Sequence, residues 1–98
     1  MSERIVLHAP TEAALQRARN NAINLLREMP DAEIEIVVNA AGVRAALSGE
    51  HGSDRLLVFC RNTLDATGQS VAEGATVVSS AIAHLARRQW EGWIYIRA

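Results

Sequence analysis

The sequence predicts a three-layer α/β/α sandwich built on a five-stranded, mainly parallel sheet. Three observations carry this. Apolar runs of strand character alternate five times with stretches of helical spacing. Parallel neighbours need crossovers, and helices supply them. The chain has 98 residues, 49% of them hydrophobic and 21% charged, which is enough for one core and too little for two. A single domain over 1–98 is expected.

Ile5-Val6-Leu7 is a short continuous apolar run, as in a strand covered on both faces. Pro10-Thr11-Glu12 follows, with Thr11 a good N-cap and an acid in the first turn. Leu15, Ala18, Ala22, Leu25, Leu26 and Met29 then recur at helical spacing, while Gln16, Arg17, Asn20, Asn24, Arg27 and Glu28 take the other face. This predicts an amphipathic helix over Glu12 to Met29, stopped by Pro30. Glu33-Ile34-Glu35-Ile36 alternates and runs into Val37-Val38, which predicts a strand near a sheet edge. A short helix is expected over Ala40 to Leu47, before Gly49, Gly52 and Ser53 break the pattern. Leu56 to Cys60 is the strongest buried-strand run. Arg61 to Ala66 reads as a short helix with Gly68 as its C-cap. Ala75 to Val78 is the fourth strand. Ser80 caps a helix over Ala81 to Trp90, expected to turn Ile82, Leu85, Ala86 and Gln89 or Trp90 inward. Trp93 to Ile96 is the fifth strand.

Composition removes several classes of function. The net charge is −1, so no global positive field is available for nucleic acid and no basic block for anionic lipid. All ten basic residues are arginine, which excludes Schiff-base chemistry and a Walker A lysine. A single cysteine, Cys60, rules out an intrachain disulfide and a multi-cysteine zinc site. The three histidines are dispersed without metal-ligand spacing, so no metal is expected. The turn His8-Ala9-Pro10-Thr11 has no glycine where a phosphate loop would need one, so neither a flavin nor a dinucleotide is expected. No secretory signal or membrane span is visible, and the expected location is cytoplasmic. A chain this short leaves much apolar content at or near the surface, which favours an oligomer.

In open parallel sheets ligands bind just beyond the carboxyl ends of the strands. His8, Asn39, Cys60 and Ser79 close the first four strands. If strands one and three are neighbours, as in a flavodoxin-like order, His8 and Cys60 share an edge. Cys60 precedes a helix whose free N–H groups and positive dipole end favour a thiolate, and Arg61 adds a positive charge. Equally, free cysteine is among the most buried residues, and Cys60 closes an apolar strand. His8 either lines a substrate site or satisfies its ring nitrogens locally. No triad is evident, because the strand ends lack Asp and Glu. His51 reads as a loop residue, and His84 is expected with Arg87 and Arg88 on the solvent side of its helix. Trp90, Trp93 and Tyr95 cluster within six residues, which suits a core, a subunit interface or both.

Three stretches resemble the DsrE/DsrF-like family. The first is the opening strand and helix through Asn24-Leu25-Leu26-Arg27, with Ala32 to Asn39 and Gly42-Val43. The second is Val58-Phe59-Cys60-Arg61-Asn62-Thr63-Leu64, with Gly68 downstream. The third is Val77 to Ala83, with Gln89 and Glu91-Gly92-Trp93-Ile94-Tyr95-Ile96. The resemblance implies a DsrE-like three-layer fold and trimers or hexamers. In the sulfur-relay members a cysteine after the third strand accepts and passes on persulfide sulfur, and Cys60 matches that position. The chain departs from the pattern in two places. The helix between strands two and three is short, and Asp65-Ala66-Thr67-Gly68 stands where relay members tend to carry basic residues.

The leading expectation is a sulfur carrier in which Cys60 is the nucleophile. Arg61 and the amides of Asn62 and Thr63 would stabilise its thiolate, and His8 and Asn39 would line the pocket. Sulfur donor and acceptor proteins would be its partners, with turnover only in their company. Two alternatives stand beside it. One is an oligomeric α/β module that binds a small ligand or protein, with Cys60 structural. The other is a thiol redox sensor, which needs a resolving thiol from another molecule.

Overall fold

The computed structural model describes residues 3–98. Five parallel strands run β1 (Arg4–Ala9), β2 (Glu33–Val38), β3 (Leu57–Cys60), β4 (Thr76–Val78) and β5 (Ile94–Arg97). Four helices connect them: α1 (Glu12–Glu28), α2 (Ala41–Leu47), α3 (Arg61–Thr67) and α4 (Ala81–Trp90). The sheet order is β4-β3-β2-β1-β5. The chain therefore steps in one direction through four strands and then returns across three of them to place β5 beside β1. Right-handed crossovers put helices of opposite travel on opposite faces. Accordingly α1, α2 and α3 cover one face, and α4 alone covers the other.

Strand alternation divides the core between these faces. Ile5, Leu7, Ile34, Ile36, Val38, Leu57 and Phe59 pack under α1–α3, against Leu15, Ala18, Ala22, Val43 and Leu64. Val6, Val37, Val58 and Cys60 pack against Ala81 and Leu85 of α4, with Trp93. The Thr11 hydroxyl caps α1 by accepting the Ala14 N–H at 3.0 Å, and the Ser80 hydroxyl caps α4 from the Ala83 N–H at 3.3 Å. Gly68 ends α3 at φ 66°, a left-handed conformation that costs glycine little.

The elements follow the expected order, but β2, expected near a sheet edge, is the central strand, paired with β1 on one side and β3 on the other; three further differences concern bounds and faces. Strand three starts at Leu57 because Asp54–Leu56 closes a 3-10 turn. Strands four and five each begin one residue later than the pattern suggested.

The third difference is the roll of α4. His84 is not on the solvent side. Its Nε2 donates to Glu35 Oε1 at 2.7 Å, and Arg88 grips the same carboxylate from Nη2 at 2.8 Å and Nε at 3.1 Å. The cause lies on the sheet, where Glu35 of β2 points up under α4 and draws both side chains inward. Ile82 and Trp90 turn outward in consequence, 64% and 84% exposed. The C-terminal aromatic residues accordingly part company. Trp93 is buried beneath the Arg88 guanidinium, 4.4 Å above its ring, while Trp90 faces outward.

Gly42 locks the start of α2 to the first turn of the fold. A Cβ there would lie 2.0 Å from the Ala9 carbonyl oxygen. The Gly42 N–H also donates to Pro10 and Asn39 carbonyls. Arg19 of α1 is buried as well, donating to Ser53 Oγ at 2.7 Å and Asp54 Oδ1 at 2.9 Å. It ties α1 to the segment that leads into β3, a role its place on the helix did not announce.

Candidate functional site

Strand order decides where chemistry can gather. The chain leaves β3 toward the α1–α3 face and leaves β4 toward the α4 face, although β3 and β4 are neighbours. A crevice at such a reversal is where open parallel sheets bind ligands. Cys60 is the last residue of β3 and pairs with Val78, the last of β4. It therefore stands at the reversal point of the sheet.

Two helices begin around its sulfur. Sγ accepts the Ala81 N–H of α4 at 3.4 Å. The start of α3, through the Asn62 and Thr63 backbone and the Thr63 side chain, adds to the polar surroundings that lower the thiol pKa. Cys60 is only 5% exposed, and burial pushes the thiol up. The hydrogen bonds from Ala81, Thr63 and Asn62 together outweigh burial and hold its pKa below the ordinary value. The site thus favours a sulfur anion inside a largely apolar wall.

The Thr63 hydroxyl is itself fixed. It accepts the Ala40 N–H at 3.2 Å. Ala40 holds φ 48°, a conformation rare outside glycine, at the turn from β2 into α2. Strain of this kind costs roughly 1–3 kcal/mol and persists where surrounding structure enforces it. Here it points the Ala40 amide at the threonine that serves the sulfur.

His8 and Cys60 are not on adjacent strands, because β2 lies between β1 and β3. They do project from the same face. His8 Nε2 meets Asn39 Oδ1 at 3.0 Å, and its Nδ1 meets the Tyr95 hydroxyl at 2.7 Å. An amide oxygen only accepts, so Nε2 carries the proton and Nδ1 accepts from Tyr95. Asn39 follows Val38, whose register partner is Phe59, so continuing the register sets Asn39 beside Cys60. Asn39 thus links the buried histidine to the cysteine edge.

No protein-family model matches the chain, and no curated protein matches it. Among solved structures it is similar to the MTH1491 protein of unknown function from Methanobacterium thermoautotrophicum. The two are 31% identical with a TM-score of 0.84, over 99% of this chain and 100% of that one. The chain belongs to the MTH1491 family. That kinship carries the α/β/α fold over the whole length and leaves the chemistry to be argued from residues.

In this MTH1491 family member, Cys60, Asn62 and Thr63 come together as the sequence suggested, and Asn39 and His8 stand along the same edge. Arg61 does not join them. Its guanidinium is half exposed and lies 3.7 Å from Asp65, one turn along α3, and it is not among the groups that lower the thiol pKa. Three contributors escaped sequence reasoning: the Ala81 amide, the Ala40 strain and the Tyr95 partner of His8. The Ala81 amide and the Tyr95 partner depend on strand order, which brings β4 beside β3 and β5 beside β1; nothing in an alanine announces the positive φ of Ala40. Among the described residues, no group of three or more His, Cys, Asp and Glu side chains is placed to hold a metal, and no helix is long and apolar enough to cross a membrane.

Proposed function

We propose that this protein is a sulfur carrier that holds persulfide sulfur on Cys60. The observation that carries the reading is the Ala81 N–H of α4 donated to Sγ, which together with Asn62 and Thr63 at the start of α3 lowers the thiol pKa despite burial. The resemblance of Val58 to Leu64 to the DsrE/DsrF-like pattern supports it. The Cys60 thiolate would attack the outer sulfur of a donor persulfide, R–S–SH. A sulfur–sulfur bond forms at Cys60 and the donor's breaks, leaving Cys60–S–SH and R–S⁻. An acceptor thiolate then takes the outer sulfur and returns the Cys60 thiolate, so no net oxidant is needed. Asn62 and Thr63 would steady the anion, with Asn39 and His8 lining the edge and Arg61 meeting the partner at the surface. The carrier acts between donor and acceptor proteins in the cytoplasm, as a homotrimer or homohexamer.

One observation favours a second reading. Cys60 sits among Val6, Val37, Val58, Ala81 and Leu85, as an inert core cysteine would. In that case the protein is an oligomeric binding module and the thiol is structural.

Mass spectrometry after incubation with a low-molecular-weight persulfide separates the two. Addition of one sulfur at Cys60, lost in a folded Cys60→Ser variant, is expected for the carrier. A native thiol that takes no sulfur and resists alkylation, with a Cys60→Ser variant that loses stability, overturns it.

A further inference from the structure

Arg19 of α1 is only 9% exposed, yet its contacts engage a single nitrogen. Nη1 donates to Ser53 Oγ and to Asp54 Oδ1. Nε and Nη2 meet no acceptor among the described residues, and neither is sealed from solvent. A guanidinium carries five N–H donors, and buried donors rarely go without partners. Arg19 lines a cavity of about 240 Å³ between α1 and the segment after α2. His51 lines it too, and the same serine holds its ring. The Ser53 N–H donates to His51 Nδ1 at 3.0 Å, so the ring proton is on Nε2, which has no partner among the described residues. Asp54 completes the frame, because its Oδ2 accepts the His51 N–H at 2.9 Å while its Oδ1 holds Arg19. Unused donors on two fixed side chains thus border one cavity.

The rim has the opposite sign. Glu12 and Glu50 line the same cavity, are exposed and form no ion pair among the described residues. Asp54 already balances the Arg19 charge, so a bare anion gains little and faces two further carboxylates. A bare cation would leave the guanidinium donors unused. Leu15 and Ala45 add apolar wall. The geometry points to a binding site for a small zwitterion, a free α-amino acid with an aliphatic side chain. Its carboxylate takes Arg19 Nε and Nη2 in the two-pronged fashion that a guanidinium favours, with His51 Nε2 beside them. Its ammonium lies toward Glu12 and Glu50, and its side chain against Leu15 and Ala45. The volume falls below the roughly 300–1,000 Å³ of pockets for drug-sized ligands, which suits a ligand this small. Leu15 belongs to the core under α1–α3 and Cys60 to the core under α4, so the proposal is independent of the sulfur chemistry.

Titration with L-valine at neutral pH, followed by heteronuclear NMR, tests it. Saturable shifts are expected at the backbone amides of His51, Ser53 and Asp54 and at the Arg19 Nε–H. Acetate and the methyl ester of L-valine each carry one of the two charges, and each should bind about tenfold more weakly. Glu12→Gln with Glu50→Gln, both on the exposed rim, should weaken L-valine about tenfold without weakening acetate. Arg19→Lys keeps the charge beside Asp54 and removes the fork, and should weaken L-valine by about as much. Where Arg19→Lys does not fold, the rim variant decides. No saturable shift with millimolar L-valine overturns the proposal. So does acetate binding as tightly as L-valine, which would make the cavity a plain anion site, or an L-valine affinity that the rim variant leaves unchanged.

Discussion

Thr63 connects backbone strain to thiol chemistry. Its hydroxyl receives the Ala40 amide, and its side chain is among the groups that lower the Cys60 thiol pKa. A hydrogen bond to a charged group is worth about 1.5–3 kcal/mol, and one pKa unit is about 1.4 kcal/mol. Thr63→Val keeps the shape and removes the donor, so the thiol pKa should rise. The thiolate fraction at neutral pH then falls about tenfold per unit, while intrinsic nucleophilicity partly recovers. Alkylation of Cys60 at pH 7 should slow roughly three- to tenfold, with the midpoint of its pH profile displaced upward. An unchanged profile would mean that the helix amides alone set the thiol. Cys60, Asn62 and Thr63 were legible as a group because they are contiguous in sequence. Ala40 was not, since nothing in an alanine announces a positive φ.

At the scale of elements, α1 and α4 make a useful contrast. The face of α1 was legible because apolar residues at helical spacing meet an apolar sheet. The same rule misplaced α4. Hydrophobic periodicity assumes an apolar floor, and β2 offers Glu35 on that side, so His84 and Arg88 turn inward and Ile82 outward. Helix α2 depends on a contact that no periodicity reveals. Its Gly42 backbone sits against the Ala9 carbonyl, where any side chain collides at 2.0 Å. Gly42→Ala must push α2 away from the turn after β1, because the obstacle is backbone and cannot rotate aside. Overpacking of this kind costs about 1–3 kcal/mol, and sometimes more. The urea midpoint of Gly42→Ala should fall accordingly, whereas Gly49→Ala, with nothing within 4 Å of its added methyl, should change it little.

The whole molecule is asymmetric, with three helices on one face of the sheet and one on the other. The five alternations made the three layers legible, but the order of strands was not. Each crossover is compatible with more than one neighbour, and only long-range packing selects β4-β3-β2-β1-β5. That order leaves α4 docked largely through Leu85, Ala81 and the Glu35 cluster. Burial pushes the Glu35 carboxyl up, and hydrogen bonds from Arg88 and His84, with their charges, more than reverse it. The net pKa lies below the ordinary 4.5. A carboxyl whose pKa is depressed on folding adds stability that is complete above its unfolded value and lost as pH falls through its folded value. The Glu35 contribution should therefore be whole above about pH 4.5 and decline in more acid solution. Glu35→Gln removes the titration and leaves Arg88 and His84 facing a neutral amide. Breaking a buried ion pair by deleting one charge costs up to about 3–5 kcal/mol. Glu35, at 17% exposure, faces an Arg88 that is 29% exposed, so solvent screening reduces this to about 1–3 kcal/mol near neutrality. Urea unfolding of both proteins from pH 7 to pH 3 tests the assignment. The gap between them should be widest at neutral pH and close steadily below pH 4.5, as the native protein loses what the variant never had. A gap that stays constant with pH would show that α4 is held by its apolar contacts and not by Glu35.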